Sequence, residues 1–403
     1  MIYDLGIYLY KLGVAVASLF SPTIAGMRRG EREAIKLVRQ RVQPGERWVW
    51  VHAASLGEFE QGRPLIERIK NSDPNAKILP TFFSPSGYNV RKNYDRADLV
   101  VYLPLDTPSA ARQFVNALNP QKVYIVKYEF WLNYLRELRK RNIPTYLISA
   151  IFRPGQIFFR WYGGRFRRCL GTFKTLYVQN DKSRELLRGI GVTNVKVTGD
   201  TRFDRVADIA AAARQLPKIA DFTANHSTIV AGSTWLPDEQ LLAQYINENC
   251  QKGIRMIIAP HHTEESRIRE IRSMLRCRSV LYTELTDDTP VVADVLIINT
   301  IGILSSVYQY GEVAYIGGGF GVGIHNTLEA AVWGAPVVFG PNYHKFNEAC
   351  QLIDCGGAKS ITDWPSCRDA IDGFLDNRDA AAAAKHYVHS HIGASSIIYS
   401  ETT

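Results

Sequence analysis

Cysteine is scarce in this chain. Its six cysteines, at positions 169, 250, 277, 350, 355 and 367, form no C-x-x-C pair and no Cys/His cluster. That scatter argues against a disulfide scaffold and a zinc ligand set, and it points to a reducing cytosol. A hydrophobic run long enough to span a bilayer is also missing. The most apolar segment, residues 5–20, is broken by Lys11 and falls short of the roughly 20 residues a spanning helix needs. It does not read as a secretory leader, because Asp4 stands where a basic n-region belongs and Ala25-Gly-Met27 makes a poor cleavage site. Acidic residues are in deficit, 39 against 48 Lys and Arg. The net charge of +9 favours an anionic partner: nucleic acid, an acidic membrane surface or a phosphorylated substrate. What is present is a well-cored globular composition, 46% hydrophobic and 22% charged, which excludes disordered, collagen-like and many-span membrane chains. At 403 residues it makes two domains or one large one.

The basic surplus is local. Residues 153–205 hold twelve Lys and Arg against four acids, and residues 28–41 hold six against two, so the basic face belongs to the first half. No recognised nucleic-acid motif accompanies it, and no nucleic-acid partner is expected. Residues 5–20, followed by Arg28-Arg29, read as a membrane-surface anchor whose flank stays cytoplasmic. A buried first helix is the alternative.

Strand-like apolar runs alternate with amphipathic helical runs throughout, the pattern of an α/β fold with parallel sheets covered by helices. Strands are predicted at 48–53, 77–83, 99–103, 122–127, 145–150, 175–178 and 196–198, and after a lull at 228–231, 255–259, 279–282, 295–299, 312–316 and 336–339. The expected organisation is an N-terminal membrane-associating segment (1–27), a Rossmann-like domain (28–205), a linker (206–226), a second Rossmann-like domain (227–385) and a C-terminal tail (386–403) that crosses back to the first. Ligands of such sheets sit beyond the carboxyl ends of the strands, here in an interdomain cleft.

The informative motifs follow strands. In His52-Ala-Ala-Ser-Leu-Gly-Glu58, Glu58 is either half of a capping box with Ser55 or a general base. In Lys127-Tyr-Glu-Phe-Trp-Leu-Asn133, aromatic neighbours half-desolvate Glu129, the alternative being an acid in a helix first turn. Arg202, in Gly199-Asp-Thr-Arg-Phe-Asp204, either binds an anion or pairs with Asp200 or Asp204 across domains. Gly317-Gly-Gly-Phe-Gly-Val-Gly-Ile-His-Asn-Thr-Leu-Glu329 lacks the G-x-G-x-x-G fingerprint. With a helix opening at Asn326, it reads as a nucleotide-phosphate cradle in which Glu329 takes a ribose. Gly232-Ser-Thr-Trp235 and Ala259-Pro-His-His262 complete that pocket. A metal site is not expected, because adjacent histidines point to opposite sides of an extended chain.

In this order and over most of the chain, these motifs resemble the 3-deoxy-D-manno-octulosonic acid (Kdo) transferases of lipid A assembly. The resemblance implies the GT-B glycosyltransferase fold, with metal-independent, inverting transfer of Kdo from CMP-Kdo to a lipid A precursor at the cytoplasmic side of the inner membrane. It needs no cofactor. Glu58 stands where that family has its general base, and Glu129 and Arg202 where it stabilises the transition state. Pro260 and His261 match a Pro-Arg pair, Ile301-Gly302-Ile303 a Met-Gly-Glu-like turn, and Asn326, Thr327, Leu328 and Glu329 an Asn-Pro-Leu-Glu segment, all on the CMP moiety. Arg202 replaces a lysine, His261 an arginine and Ile303 a glutamate. The basic-aromatic stretch carrying Arg153, Arg160, Arg165, Arg167 and Arg168 suits an anionic membrane or acceptor face. Two other readings stay open at this level: a GT-B enzyme using a UDP-sugar, and a non-catalytic basic binding module.

Overall fold

The computed structural model describes residues 2–285 and 292–403. Residue 1 and residues 286–291, which fall within the expected segments 1–27 and 227–385, lie outside the described residues. The chain divides into two compact units: one runs to Arg205 and includes Gly393–Thr403, and the other is Val206–Ile392.

The first unit is built on a parallel sheet of β1 (Trp48–Ala53), β2 (Lys77–Phe82), β3 (Val101–Tyr102), β4 (Lys122–Val126), β5 (Thr145–Ala150), β6 (Thr175–Val178) and β7 (Val195–Val197). Their order is β3-β2-β1-β4-β5-β6-β7. Every residue of β1 is buried, because helices cover both faces of a parallel sheet. Trp50 packs its ring edge-on to Phe114 and Tyr134 on one face, while Val49 and Val51 join the cluster of Phe59 and Ile66 on the other. Chain order reverses direction between β1 and β4, so the loops after those two strands flank the switch point where such sheets bind ligands.

The second unit repeats the scheme with β8 (Ser227–Thr234), β9 (Ile254–Pro260), β10 (Ser279–Leu281), β11 (Val295–Ile297), β12 (Val313–Ile316), β13 (Val337–Phe339) and β14 (Ala358–Ser360), ordered β10-β11-β9-β8-β12-β13-β14 and parallel throughout. Its switch point lies between β8 and β12. The stretch 206–226, expected as a linker, is mostly helical. The helix Arg202–Ala211 runs through the division, and Pro217–Thr223 packs Ile219 and Phe222 fully inside the second unit.

Two helices precede the first sheet, Ile2–Ala17 and Pro22–Arg41. Ser21 caps the second, accepting from Ile24 N at 3.4 Å with Pro22 in the first turn, and this breaks the apolar segment from the basic helix. The first helix is pinned by Tyr3 Oη donating to Asp106 Oδ2 at 2.6 Å and by Asn133 Nδ2 donating to Asp4 Oδ1 at 3.0 Å. Among its residues only Ile7 is buried, while Leu5, Leu9 and Leu12 are each about 60% exposed. No helix among the described residues is long and apolar enough to cross a membrane.

Candidate active site

In the first unit, β1 ends at Ala53, and Ser55 just beyond it caps the Leu56–Ser72 helix by accepting from Glu58 N at 3.5 Å. Glu58 completes the box with a shift of one residue: its Oε2 accepts from Ala54 N at 2.7 Å rather than from the cap residue. One carboxylate oxygen thus holds the turn, while the other makes no hydrogen bond within the described protein. Burial raises the Glu58 carboxyl above its ordinary value, and the charge of Glu129 adds to the rise.

Glu129 arrives from the loop after β4, where Lys127 takes a left-handed backbone (φ 59°) that turns the chain sharply. Its Oε2 accepts from Trp131 Nε1 at 2.7 Å and lies 3.4 Å from His52 Nε2. His52 is fully buried within β1, its Nδ1 2.8 Å from Thr81 Oγ1, which in turn accepts from Trp50 Nε1 at 2.8 Å. A chain of polar groups thus runs from the core to Glu129 and fixes its carboxylate, whose charge acts on Glu58. His52 lay in an otherwise apolar strand and was missed as a site residue. A histidine within such a run was the available signal.

The Gly199–Asp204 loop is clamped behind Glu58. Thr201 Oγ1 donates to Gln61 O at 2.5 Å and lies 2.7 Å from Ser149 Oγ. Asp200 is buried; burial pushes its carboxyl up, but Arg202 outweighs this and holds it below the ordinary value, with bonds of 2.8 Å from Nε and 2.9 Å from the backbone N. Arg202 and Asp200 pair within this one loop. Burial raises the Tyr128 phenol above its ordinary value, with the charges of Arg153 and Arg202 opposing the rise and those of Asp200 and Glu58 adding to it.

Of the basic stretch, Arg167 differs from expectation. Its Nη1 donates to the carbonyls of Phe158 (3.3 Å) and Arg160 (3.1 Å), which ties it to its own loop. Arg160 stands exposed beside Trp161, which is 89% exposed, and the Arg153 backbone is held by Gln156. Arg165 and Arg168 line a pocket together with Arg136 and Arg139, which sequence reasoning had not singled out. Alongside it a groove of about 430 Å³ is lined by Tyr3, Ile7, Glu129, Trp131, Phe158 and Phe166, among others.

In the second unit the loops after β8, β9, β11 and β12 leave the carboxyl end of the sheet. Asp238, in the first turn of the Leu236–Asn249 helix, accepts from Trp235 N (2.9 Å), Gly318 N (3.0 Å) and Tyr315 Oη (2.8 Å), tying the glycine-rich turn to the loop after β8. The turn differs from an open anion cradle. The N–H groups of Gly317, Gly321, Gly323 and His325 are all bonded to carbonyls within the fold. The expected helix at Asn326 starts instead at Leu328 and lasts one turn, Leu328–Ala331, too short to carry much of a dipole. Asn326 uses both ends of its amide, accepting from Leu328 N at 3.2 Å and donating to Glu329 Oε1 at 3.0 Å, and so aims that carboxylate.

The adjacent histidines do not diverge. His261 stacks on Trp235 (centroids 4.5 Å, 19°), His262 meets the same ring edge-on at 5.1 Å, and His325 lies 4.9 Å from His261. The chain turns just past Pro260, so strand alternation no longer governs the two rings. Burial lowers the ordinary values of both His261 and His325, helped by the neighbouring rings, which favours a neutral aromatic surface. Pro260 is buried beneath it, and Ile301 is exposed at a turn where Gly302 has φ 96°. Elsewhere, Cys250, Cys277 and Asp294 bring three possible ligand atoms within 4.8 Å of one another, a convergence invisible in their spacing. A structural zinc site needs four.

A family profile described as 3-Deoxy-D-manno-octulosonic-acid transferase (kdotransferase) matches residues 28–205. A 3-deoxy-D-manno-octulosonic acid transferase from Aquifex aeolicus is 26% identical over 315 residues, covering 77% of this chain and 80% of that one. Among solved structures, UDP-GlcNAc 2-epimerase from Neisseria meningitidis, bound to UDP-GlcNAc, superposes with a TM-score of 0.61 at 15% identity, covering 88% of this chain and 98% of that one. CalG4, the calicheamicin glycosyltransferase, gives 0.58 at 12% identity and covers 89% and 98%. These structural likenesses show the fold, that of GT-B glycosyltransferases and epimerases.

Proposed function

Given that residues 28–205 belong to the Kdo transferase family and that the chain is a glycosyltransferase, we propose that it transfers Kdo from CMP-Kdo to a lipid A precursor, with inversion and without a metal, in lipopolysaccharide synthesis. Glu58 is the general base. It takes the proton of the acceptor hydroxyl as that oxygen bonds to the anomeric carbon, and the bond from that carbon to the CMP phosphate breaks. The observation that carries this role is its half-buried carboxylate just past β1, with one oxygen held by Ala54 N and its affinity for protons raised by burial and by Glu129. A carboxylate in that state is a stronger base than one in water. Glu129, oriented by Trp131 and His52, and Arg202, oriented by Asp200, stabilise charge as it develops.

On the second unit, Pro260, His261, Ile301, Gly302, Ile303, Asn326, Thr327, Leu328 and Glu329 take the CMP moiety. The flat Trp235–His261 stack suits a pyrimidine, and the Asn326-held carboxylate of Glu329 suits a pair of ribose hydroxyls. The exposed apolar side of the Ile2–Ala17 helix, with Trp161 and Arg160, supports docking on the anionic cytoplasmic face of the inner membrane.

The test is incubation with CMP-Kdo and tetraacylated lipid A precursor, followed by mass spectrometry of the lipid. Glu58→Gln is expected to lower transfer by about 10²–10⁴, the usual contribution of a general base, while CMP-Kdo binding survives. Normal turnover in that variant would remove Glu58 from the mechanism.

A further inference from the structure

Cys250, Cys277 and Asp294 come together at the amino end of the second sheet. Cys277 stands just before β10 and Asp294 immediately before β11, and Cys250 opens the short turn Cys250–Lys252 that leads from the Leu236–Asn249 helix into β9. Because β10, β11 and β9 are parallel neighbours in that order, their entries share one end of the sheet. The glycine-rich turn and the histidines leave the opposite end. One ligand atom from each of the three residues lies within 4.8 Å of the other two. A tetrahedral zinc at about 2.3 Å from sulfur sets its ligand atoms about 3.8 Å apart, so the three need only close in slightly around an ion.

Hydrogen bonds hold the segments that carry these groups. Asn247, on the helix ahead of Cys250, accepts from Arg276 N at 2.6 Å and donates to Met274 O at 2.9 Å, which fastens the chain leading into Cys277 to that helix. Cys277 Sγ lies 3.9 Å from the same Asn247 Oδ1. On the other side, Asp294 N donates to Arg278 O at 2.9 Å and Asp294 Oδ2 accepts from Arg278 N at 3.1 Å, which fixes the carboxylate next to Cys277. Outer bonds of this kind orient the ligands of metal sites. All three residues are half-buried, shielded from bulk water yet open enough to admit an ion. The charge balance suits a dication. Two thiolates and a carboxylate outweigh it by one charge, and Arg278, whose Nε is 3.9 Å from Asp294 Oδ2, offsets the difference. A disulfide would use the two sulfurs and give the converging carboxylate no role.

We propose that Cys250, Cys277 and Asp294 bind one zinc ion, with water in the fourth position. Thiolate ligands select zinc over magnesium and calcium, which take oxygen sets. Three protein ligands make an open site that exchanges its metal, in contrast to the closed four-ligand kind. Each thiol gives its proton to the buffer as its sulfur bonds to the ion. The bound ion ties the end of the Leu236–Asn249 helix to the entries of β10 and β11, short strands at one edge of the sheet. The site shares no residue with the transferase reading and does not depend on it.

The test uses the full chain, reduced and stripped of metal. Titration with Co²⁺, which reports thiolate ligation by a sulfur-to-metal charge-transfer band, is expected to saturate at one ion per chain, and one equivalent of Zn²⁺ should abolish the band. Cys250→Ser/Cys277→Ser should lose the band. Asp294→Asn keeps an acceptor for Arg278 N but removes the charge, and it should weaken Zn²⁺ binding by about tenfold or more. A readout on the unaltered chain guards against a misfolded variant. Bound Zn²⁺ should slow iodoacetamide alkylation of Cys250 and Cys277 by about tenfold or more, because a metal-bound thiolate is not free to attack, and leave the exposed Cys355 unchanged. Absence of the band, a band that survives in the double-serine variant, or equal protection of Cys355 overturns the inference. So does a Cys250–Cys277 disulfide that forms in air in a chain that binds no Zn²⁺ when reduced, since the pair would then be a redox couple.

Discussion

Glu58 works as a base only when ionised, so its titration sets the acidic limb of the rate profile. Burial raises its proton affinity first, and the neighbouring Glu129 charge second. Removing a like charge favours the ionised form, so Glu129→Gln should lower the Glu58 value and move the acidic limb of kcat/KM toward lower pH. The limb's position is independent of its height, so the shift is readable even though the variant also loses transition-state stabilisation. A limb that stays in place, or moves up, would separate Glu58 from that titration. Ser55 and Glu58 at capping-box spacing after an apolar strand were enough to mark this turn in the sequence. The His52–Thr81–Trp50 chain behind Glu129 was not legible, because it joins β1 to β2 through side chains 29 and 31 residues apart. The same holds for Arg136 and Arg139, which meet Arg165 and Arg168 only because a second helix packs beside theirs.

At the level of elements, the glycine-rich turn works first as a packing device. A Cβ on Gly317 would lie 2.3 Å from Ser233 O, and one on Gly319 would lie 2.6 Å from the Gly340 backbone, so the loop after β12 passes directly over the ends of β8 and β13. On Gly321 the nearest atom would be 3.7 Å away. Gly319→Ala should therefore destabilise the second unit by about 1–3 kcal/mol, as overpacking does, and Gly321→Ala should stay within about 0.5 kcal/mol. Thermal unfolding of both variants checks this, and equal melting points would mean that the close approach is not maintained. Strands were readable where an apolar, β-branched run was long and flanked by polar residues: β1, β5 and β6 match the predicted bounds to the residue. β14 was missed because Ala358-Lys-Ser360 has neither length nor alternation and is a strand only through its pairing with β13. The predicted strand at 99–103 pairs only at Val101–Tyr102, since its partner β2 ends at Phe82.

For the whole molecule, the chain's last eleven residues belong to the first unit, although the 187 before them build the second. Gly393, at φ 123°, turns the chain, and Asp204 accepts from Gly393 N at 3.0 Å and Ser395 N at 3.3 Å. The helix Ala394–Thr402 then lies on the Leu56–Ser72 helix that carries Glu58 and buries Ile398 completely among Val49, Phe59 and Tyr124. Its end is fastened to the sheet, with Thr402 O accepting from Lys122 Nζ at 2.6 Å, Thr402 Oγ1 2.6 Å from Tyr124 Oη, and Glu401 paired with Lys196 at 2.6 Å. An expected return of the tail followed from the absence of a strand after the last long helical run. Where it lands did not follow, because Ile397-Ile398-Tyr399 is too short a run to name its partner. Full burial of one isoleucine contributes about 1.5–3 kcal/mol, and each net hydrogen bond about 1 kcal/mol. Truncation after Ile392 should then cost the first unit at least about 3 kcal/mol, roughly 6–12 °C for a unit of about 200 residues. Calorimetry of the truncated chain should show one transition lowered by that amount and the other, from Val206–Ile392, unmoved. Two transitions falling together would mean that the units unfold as one, and an unchanged first transition would mean that the returning helix adds nothing to the wall behind Glu58.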